Sequence, residues 1–476
     1  MDWEGIVTYI RDSLGNTVVL PIVIALLGIA LGQKWSRAIR SGLTIGVAFV
    51  GLGLVIGLLI GALAPATNAL IERFDIGLTT IDVGWPVAAA IAFGTTIGAL
   101  VVPLAIGVNI LMLLTRLTKT LNVDIWNFWH FAFTGSLVYL VTDQNLAAGL
   151  IAAAFHAVLA LMIGDITAPA VQKFFKLPGI SIPQGWAVTS VPIALAGNWL
   201  IEKIPGVRDI KADADTIQRR LGVAGDPLIL GVVLGILFGI LAGYDFAATL
   251  ILGVQLGAVM LLVPRIIAIF MEGLVPVSEA ARGFFQKRFP GREFYVGLDS
   301  AILIGHPITI AAAILLIPTT LALAIILPGN TTLPFTDLAA TAFFVAMATV
   351  LTGGNLFRTY LIGTGIMVMV LYLTSYFAPT VTQTAADIGY ALPPEAAAAA
   401  SISALSGGNL FAFLAYVASD WVGIVGPIVL LVAAVVLAFL LRNYQYHGPA
   451  EAQPTRREEQ VPVPAIEPAP VPPMSA

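Results

Sequence analysis

Apolar residues run along this chain in blocks of about 20, the length needed to cross a hydrocarbon core of roughly 30 Å. Eleven blocks carry almost no charge: 17–33, 41–65, 97–115, 126–143, 147–168, 227–243, 246–270, 307–328, 337–352, 356–377 and 421–442. Backbone groups in lipid must find hydrogen bonds within the protein, so the pattern predicts helices. The expected fold class is an all-α polytopic membrane protein with about 11 transmembrane helices. Composition points the same way, with 58% hydrophobic and 11% charged residues.

Other apolar stretches are too interrupted to span. Residues 83–96 and 296–309 have Gly or Pro near both ends, and residues 183–200 and 393–410 each start at Pro and finish at Gly-Asn. Two readings stay open, a kinked ordinary helix and a re-entrant hairpin. Broken segments at matching positions of two halves are the sequence mark of a transport site.

Four short signatures supply the two halves. They are Thr142-Asp143-Gln144-Asn145-Leu146, Ala196-Gly197-Asn198-Trp199-Leu200, Thr352-Gly353-Gly354-Asn355-Leu356 and Ser406-Gly407-Gly408-Asn409-Leu410. Asn145 and Asn198 stand 53 residues apart, and Asn355 and Asn409 stand 54 apart, about 210 positions later. Val83-Gly84 with Val296-Gly297, Thr96 with Thr309, Asp124 with Asp337, and residues 179–183 with 389–393 follow nearly the same offset. The chain therefore reads as two copies of one unit.

Charge gives the orientation. With the first span running from outside to inside, 21 of the 23 Lys and Arg fall on the inner side, and only Arg11 and Arg73 lie outside. Matching loops differ in charge: 116–123 has two basic residues and 329–336 none, while 66–82 has one and 279–295 four. Five spans per copy would invert the second. The expectation is two inverted five-helix repeats (about 17–200 and about 227–418) plus one C-terminal helix, 421–442, with re-entrant hairpins. The N-terminus lies outside and the C-terminus in the cytoplasm. Residues 1–443 are read as one transmembrane domain. Residues 444–476, rich in Pro, Ala and Glu, are read as a disordered cytoplasmic tail. Residues 1–16 resemble a retained segment more than a cleaved signal. The loop 201–226 holds five basic and five acidic residues and could form a surface helix. Residues 271–295 suit an amphipathic helix in the inner interface.

Polar side chains at membrane depth are costly and so are functional candidates. His306 sits between Gly305 and Pro307 at an expected hairpin tip, with Asp299 seven residues earlier in the same broken segment. Asp299 is open to substrate contact or a structural cap. His130 is open to ligand contact or a helix–helix hydrogen bond. His156 and Asp165 on one long helix read as bundle glue. Asp143 and Gln144 stand where the other copy has Gly353 and Gly354. Gln144 is a candidate on that asymmetry, and solvent exposure is the plainer account. Gln184 follows Pro183 and can both donate to and accept from a hydroxyl. Trp85 could stack on an apolar sugar face or anchor at the interface. Thr96 closes the first broken segment and joins the set. Glu272 and Glu279 belong to the amphipathic surface, and the four asparagines read as helix caps or braces. No Lys or Arg sits deep enough to hold an anion, so a neutral polyol suits the inventory. The absence of cysteine excludes disulfides and thiolate metal sites. No cofactor, metal or nucleic acid is expected.

The motifs Asp82-Val-Gly-Trp-Pro86, Gly179-Ile-Ser-Ile-Pro-Gln184, Glu272-Gly-Leu-Val-Pro-Val-Ser-Glu-Ala280, Gly297-Leu-Asp-Ser-Ala-Ile-Leu-Ile-Gly-His-Pro307, Leu327-Pro-Gly-Asn330 and Gly354-Asn-Leu-Phe-Arg358 carry a resemblance. Over residues 5–445 the chain resembles the galactitol-type membrane subunit, enzyme IIC, of the bacterial sugar phosphotransferase system. It is more distantly similar to ascorbate permeases of the same superfamily. The Pro-rich tail is a departure. The resemblance implies a homodimer in the inner membrane, with a substrate-carrying core moving against a scaffold. It also implies a cytosolic IIA protein and a IIB protein whose phosphocysteine donates the phosphoryl group. Galactitol would enter from outside and leave as galactitol 1-phosphate. By this resemblance Gln184 and Asp299 align with substrate-contacting positions of the ascorbate relatives, and His306 lies beside one. The chain would hold no self-contained catalytic site. It would act as the translocating subunit of a protein-N-phosphohistidine–sugar phosphotransferase, with Asp299 or His306 orienting the accepting hydroxyl or taking its proton. The rival reading is a proton-coupled secondary transporter of a polyol or organic acid that leaves its substrate unmodified.

Overall fold

A computed structural model describes residues 15–73, 78–122, 124, 128–210, 212, 227–288, 293–334, 336–390 and 401–448. The expectations for residues 1–14, most of the loop 201–226 and the tail from 449 lie outside the described residues.

The chain forms α1 (Gly15–Ala30), α2 (Trp35–Arg73), β1 (Thr80–Asp82), α3 (Gly84–Gly94), α4 (Thr96–Leu114), β2 (Thr120–Asn122), α5 (Trp129–Val141), α6 (Leu146–Phe175), β3 (Ile180–Ser181) and α7 (Gly185–Lys203). The same order then recurs as α8 (Pro227–Ala242), α9 (Phe246–Arg288), β4 (Tyr295–Gly297), α10 (Ala301–Ile304), α11 (Pro307–Ile326), β5 (Thr332–Leu333), α12 (Thr341–Leu351), α13 (Leu356–Asp387), β6 (Ser401–Ser403) and α14 (Leu410–Val422), followed by α15 (Val425–Leu441). Each of the eleven expected spans falls on a helix. Among the described residues α4, α6, α11 and α13 are long and apolar enough to cross a membrane alone, and several apolar helices are shorter. The molecule is thus a mostly helical, multi-pass membrane protein.

The strands are a departure from the all-helical expectation. They make two parallel three-stranded sheets, ordered β2-β4-β3 and β5-β1-β6. The central strand of each comes from the opposite half, so exchanging the halves converts one sheet into the other. Strands of two or three residues leave no alternating pattern to read. They form where the chain is too broken for a helix and its backbone groups still need partners. A second departure is α9, which carries on through Pro264 and Pro276 to Arg288 instead of stopping before a separate interfacial helix.

Side chains start the helices that follow the breaks. Asn145 accepts from Ala148 N at 3.1 Å and Asn355 from Arg358 N at 3.1 Å. Thr95 accepts from Gly98 N at 3.0 Å, Gln184 from Ala187 N at 3.0 Å and Asn409 from Phe411 N at 2.9 Å. Each cap is worth about 1 kcal/mol. Asn409 therefore matches Gln184, and not Asn198 as the sequence offset suggests. Asn198 lies inside α7 and accepts from Arg358 Nη1 at 3.2 Å.

Helices α1, α2, α8 and α9 pack mainly on one another, and the remaining helices form a second body around the two sheets. Glycine permits close crossings within the first group. A Cβ on Gly235 would lie 2.7 Å from Gly253 Cα, and one on Gly231 would lie 2.9 Å from Gly257 Cα. Small residues at such crossings let backbones touch where no hydrophobic force drives helices together.

Candidate functional site

The polar centre of the second body is the meeting of two hairpin tips. Strand β3 delivers Pro183 and Gln184 to the start of α7. Gln184 Oε1 accepts from Ala187 N at 3.0 Å and from Ser300 Oγ at 2.9 Å, and its Nε2 lies 3.2 Å from His130 Nε2. With the amide oxygen taken by two donors, the amide nitrogen donates, so His130 Nε2 accepts and the ring proton sits on Nδ1. Gln184 and His130 are 1% and 2% exposed. The His130 ring packs on a tilted Trp129 and meets Trp186 edge-on, with centroids 4.0 and 5.0 Å away. It occupies the space that a side chain at position 185 would need, since a Cβ there would lie 2.3 Å from His130 Cγ. Asp299 stands next to Ser300, half-buried, and accepts from Ala301 N at 2.6 Å.

The second tip closes on the first. Asn409 Nδ2 donates to Gly185 O at 3.3 Å, Trp186 Nε1 donates to Ser406 O at 2.8 Å, and Leu410 N donates to Thr189 Oγ1 at 2.8 Å. Two helix N-termini, of α7 and α14, thus converge on one region. Their first N–H groups are taken by side chains of the tips themselves: Ala187 N by Gln184, Phe411 N and Ala412 N by Asn409, and Leu410 N by Thr189.

Thr96 and Gln144 come together elsewhere. With Thr95, Ser136, Tyr139, Thr384 and Asp387 they line a cavity of about 250 Å³ where α4 begins and α13 ends. Thr95 Oγ1 and Ser136 Oγ are 2.7 Å apart. A small void shares Ser136 and Thr384 with this cavity and reaches Phe133. Phe133 packs on Trp129 at 6.1 Å, one residue from His130. The cavity therefore points along α5 toward the tips.

His306 does not join Gln184. It caps α11, its Nδ1 accepting from Ile308 N at 3.3 Å, and its ring lies on Phe174 and Phe175 at 4.7 and 6.4 Å. Trp85 is also apart: its backbone N donates to Asp337 Oδ1 at 2.7 Å beside the second sheet. His156 takes the glue role, 2.7 Å from Thr134 Oγ1 between α5 and α6. Asp165 accepts from Thr118 Oγ1, Lys119 N and Thr120 Oγ1 at 2.7, 2.9 and 2.7 Å, tying α6 to the first sheet.

Sequence reasoning missed Ser300, Thr189 and the pairing of two buried carboxylates. Asp82 accepts from Gly84 N, Asp337 N and Leu405 N at 3.1, 2.9 and 3.0 Å, and Asp337 accepts from Trp85 N and Ser406 N. Together they fasten the second tip to the second sheet. The available signal was an Asp just before an apolar segment, Asp82 ahead of 83–96 and Asp337 at the start of 337–352.

Comparison with known proteins supplies the identity of this architecture. The family model for the PTS system sugar-specific permease component, EIIC-GAT, matches residues 9–396, which include the first tip and both sheets' central strands. A putative permease IIC component of Escherichia coli (strain K12) is 46% identical over 427 residues, 89% of this chain and 97% of that protein. The PTS system galactitol-specific EIIC components of Escherichia coli (strain K12) and of Escherichia coli O157:H7 are each 45% identical over 387 residues, 81% of this chain and 85% of theirs. A match running through both halves at this identity makes the chain a member of the family of PTS sugar-specific permease components.

Proposed function

We propose that this chain binds a polyol of the galactitol type and carries it across the membrane, coupled to its phosphorylation by a IIB phosphocysteine that a IIA protein recharges. The observation that carries the reading is the Gln184–His130–Ser300 network beside Asp299. It is neutral, buried, built from both halves and set at converging helix N-termini. Such a site offers paired donors and acceptors to hydroxyl groups, and a wrong stereoisomer would leave some of them unpaired. The relatives named for galactitol support the choice of substrate.

The exchange of strands between the halves supports two inverted five-helix repeats plus α15. Arg116, Lys119 and Arg442 gather at one end, and Arg358 with Arg208 and Glu202 belongs to loops of the same expected side. That end is taken as cytoplasmic, with the N-terminus outside. The hydroxyl-lined cavity of Thr96 and Gln144 then faces outward as the entry, and His306 lies on the exit side. Helices α1, α2, α8 and α9 serve as the scaffold and homodimer surface. The second body is the moving core. At the inner side the polyol hydroxyl attacks the phosphoryl group in line. An O–P bond forms, the S–P bond to the IIB cysteine breaks and leaves a thiolate, and the hydroxyl proton passes to Asp299 or His306.

Uptake of labelled galactitol into vesicles, with and without phosphorylated IIB, tests the reading. Label recovered as galactitol phosphate only with IIB is the expected result. Free galactitol accumulating with a pH gradient and no IIB would replace it with proton-coupled transport.

A further inference from the structure

A large cleft in the described structure has no part in the polyol site. It measures about 530 Å³ and lies between the end of α4, the first sheet and the end of α15, lined by Arg116, Lys119, Asp165, Glu293, Arg442 and Asn443 among others. Its two carboxylates are engaged. Asp165 takes two hydroxyls and a backbone N–H, as above, and Glu293 accepts from Lys119 Nζ at 2.8 Å and Tyr295 Oη at 3.2 Å. Arg442 lies 4.3 Å over the Phe439 ring, and neither it nor Arg116 pairs with a carboxylate among the described residues.

Arg116 is also held at a backbone cost. Its φ is 62°, whereas the equivalent turn after α11 uses Gly329 at φ 82°. A non-glycine residue in that region costs about 1–2 kcal/mol. The twin turn therefore forms with glycine, and what Arg116 adds is a guanidinium at the mouth of a cleft. Two guanidiniums, an ammonium and an amide around a space of this size match the charge and donor count of a phosphate dianion with room for an attached polyol.

We propose that this cleft is a phosphate-monoester site, in which Arg116 and Arg442 grip the phosphate oxygens and Lys119 and Asn443 complete the shell. Its assignment to the phosphorylated polyol leaving the core rests on the permease reading; the chemistry of the cleft does not. It would hold the product by its new charge, at a place that unphosphorylated polyol has no reason to occupy.

The test uses full-length protein in nanodiscs of zwitterionic phosphatidylcholine. Calorimetric titrations with galactitol 1-phosphate, inorganic phosphate and free galactitol are run beside native mass spectrometry of retained phosphatidic acid. Galactitol 1-phosphate should bind, and Arg116→Gln and Arg442→Gln should each weaken it tenfold or more, while Arg208→Gln, on the loop after α7 and outside the cleft, leaves it unchanged. Thermal unfolding of each variant checks that it is folded. Retention of phosphatidic acid alone, lost in the same variants, would keep the phosphate site but assign it to lipid and overturn the product role. Binding of neither, or binding indifferent to both arginines, would overturn the site. Free galactitol binding without phosphate binding removes this proposal only. Phosphate binding without galactitol binding removes the galactitol assignment of the polyol site only.

Discussion

The two sheets are built on one plan and finished with different side chains. In the first, Asp165 on α6 collects the hydroxyls of Thr118 and Thr120 and the backbone N–H of Lys119. In the second, Ser375 on α13 does the same work, accepting from Thr331 N and Thr332 N at 3.0 and 3.2 Å and donating to Asn330 Oδ1 at 2.8 Å. The turns differ in the same direction. Arg116, Asp143, Gln144 and Lys176 hold left-handed backbone in the first half, where the second uses Gly329, Gly353, Gly354 and Gly389. One backbone thus tolerates neutral and charged finishes. Charge and strain in the first half are additions that folding alone does not require.

The largest expected effect tests that equivalence directly. Asp165→Ala leaves three donors without their half-buried carboxylate and should cost about 3 kcal/mol or more, since hydrogen bonds to charged groups are worth about 1.5–3 each before relaxation. Ser375→Ala should cost about 1–2 kcal/mol. Asp165→Ser should recover part of the loss, because the serine finish already exists in the twin. Unfolding in detergent measures all three. Equal losses at 165 and 375 would break the comparison.

The tips come next. Gln184→Ala and Asn409→Ala each remove a cap, about 1 kcal/mol of stability. Only the first also unties His130 and Ser300, so galactitol affinity should fall about 10–100-fold there, the effect of about 1.4–2.8 kcal/mol of unpaired polar groups. Asn409→Ala should change affinity much less. A reversed order would move the site to the second tip. Gly185→Ala sharpens the point: the new methyl must displace the His130 ring, at about 1–3 kcal/mol.

How much of this was legible follows from what each feature depends on. The spans were, because 20-residue apolar runs are long signals. So were the turns, since Asp143-Gln144 against Gly353-Gly354 is visible once the halves are aligned. Gln184 stood out because it follows a proline in an apolar stretch. Its partners did not: Ser300 is 116 positions away and became adjacent only through the β3–β4 pairing of two-residue strands. His306 looked like a neighbour of Asp299, but α10 intervenes and turns its ring onto Phe174. Asn409 was matched to Asn198 by residue type. Its structural mate is Gln184, which does the same capping with a different amide.

Gln144 separates strain from function. Gln144→Gly relieves a left-handed residue and should raise stability by about 1 kcal/mol. If the side chain contributes to the entry cavity, initial uptake of galactitol should fall at the same time. Higher stability with unchanged uptake would leave Gln144 outside the site. The reverse exchange, Gly354→Gln, should only destabilise, since a Cβ there already meets Phe174 at 3.3 Å and His306 at 3.4 Å.

The smallest expected effect lies at the charged cleft and depends on pH. Lys119 donates to Glu293 and holds its carboxyl below the usual range, burial opposing the shift. Glu293 is therefore ionised at neutral pH and engages the Lys119 charge. Glu293→Gln releases that charge and should tighten binding of galactitol 1-phosphate about two- to threefold at pH 7, the size of an exposed ion pair. A group with a lowered pKa exerts its attraction above that pKa and loses it as pH falls through it. The advantage of the variant should accordingly shrink toward none in acid, as protonated Glu293 frees Lys119 in the parent protein too. Taking the ratio of the two affinities cancels the titration of the phosphate itself. A ratio that stays constant with pH would mean that Lys119 does not share its charge between Glu293 and the cleft.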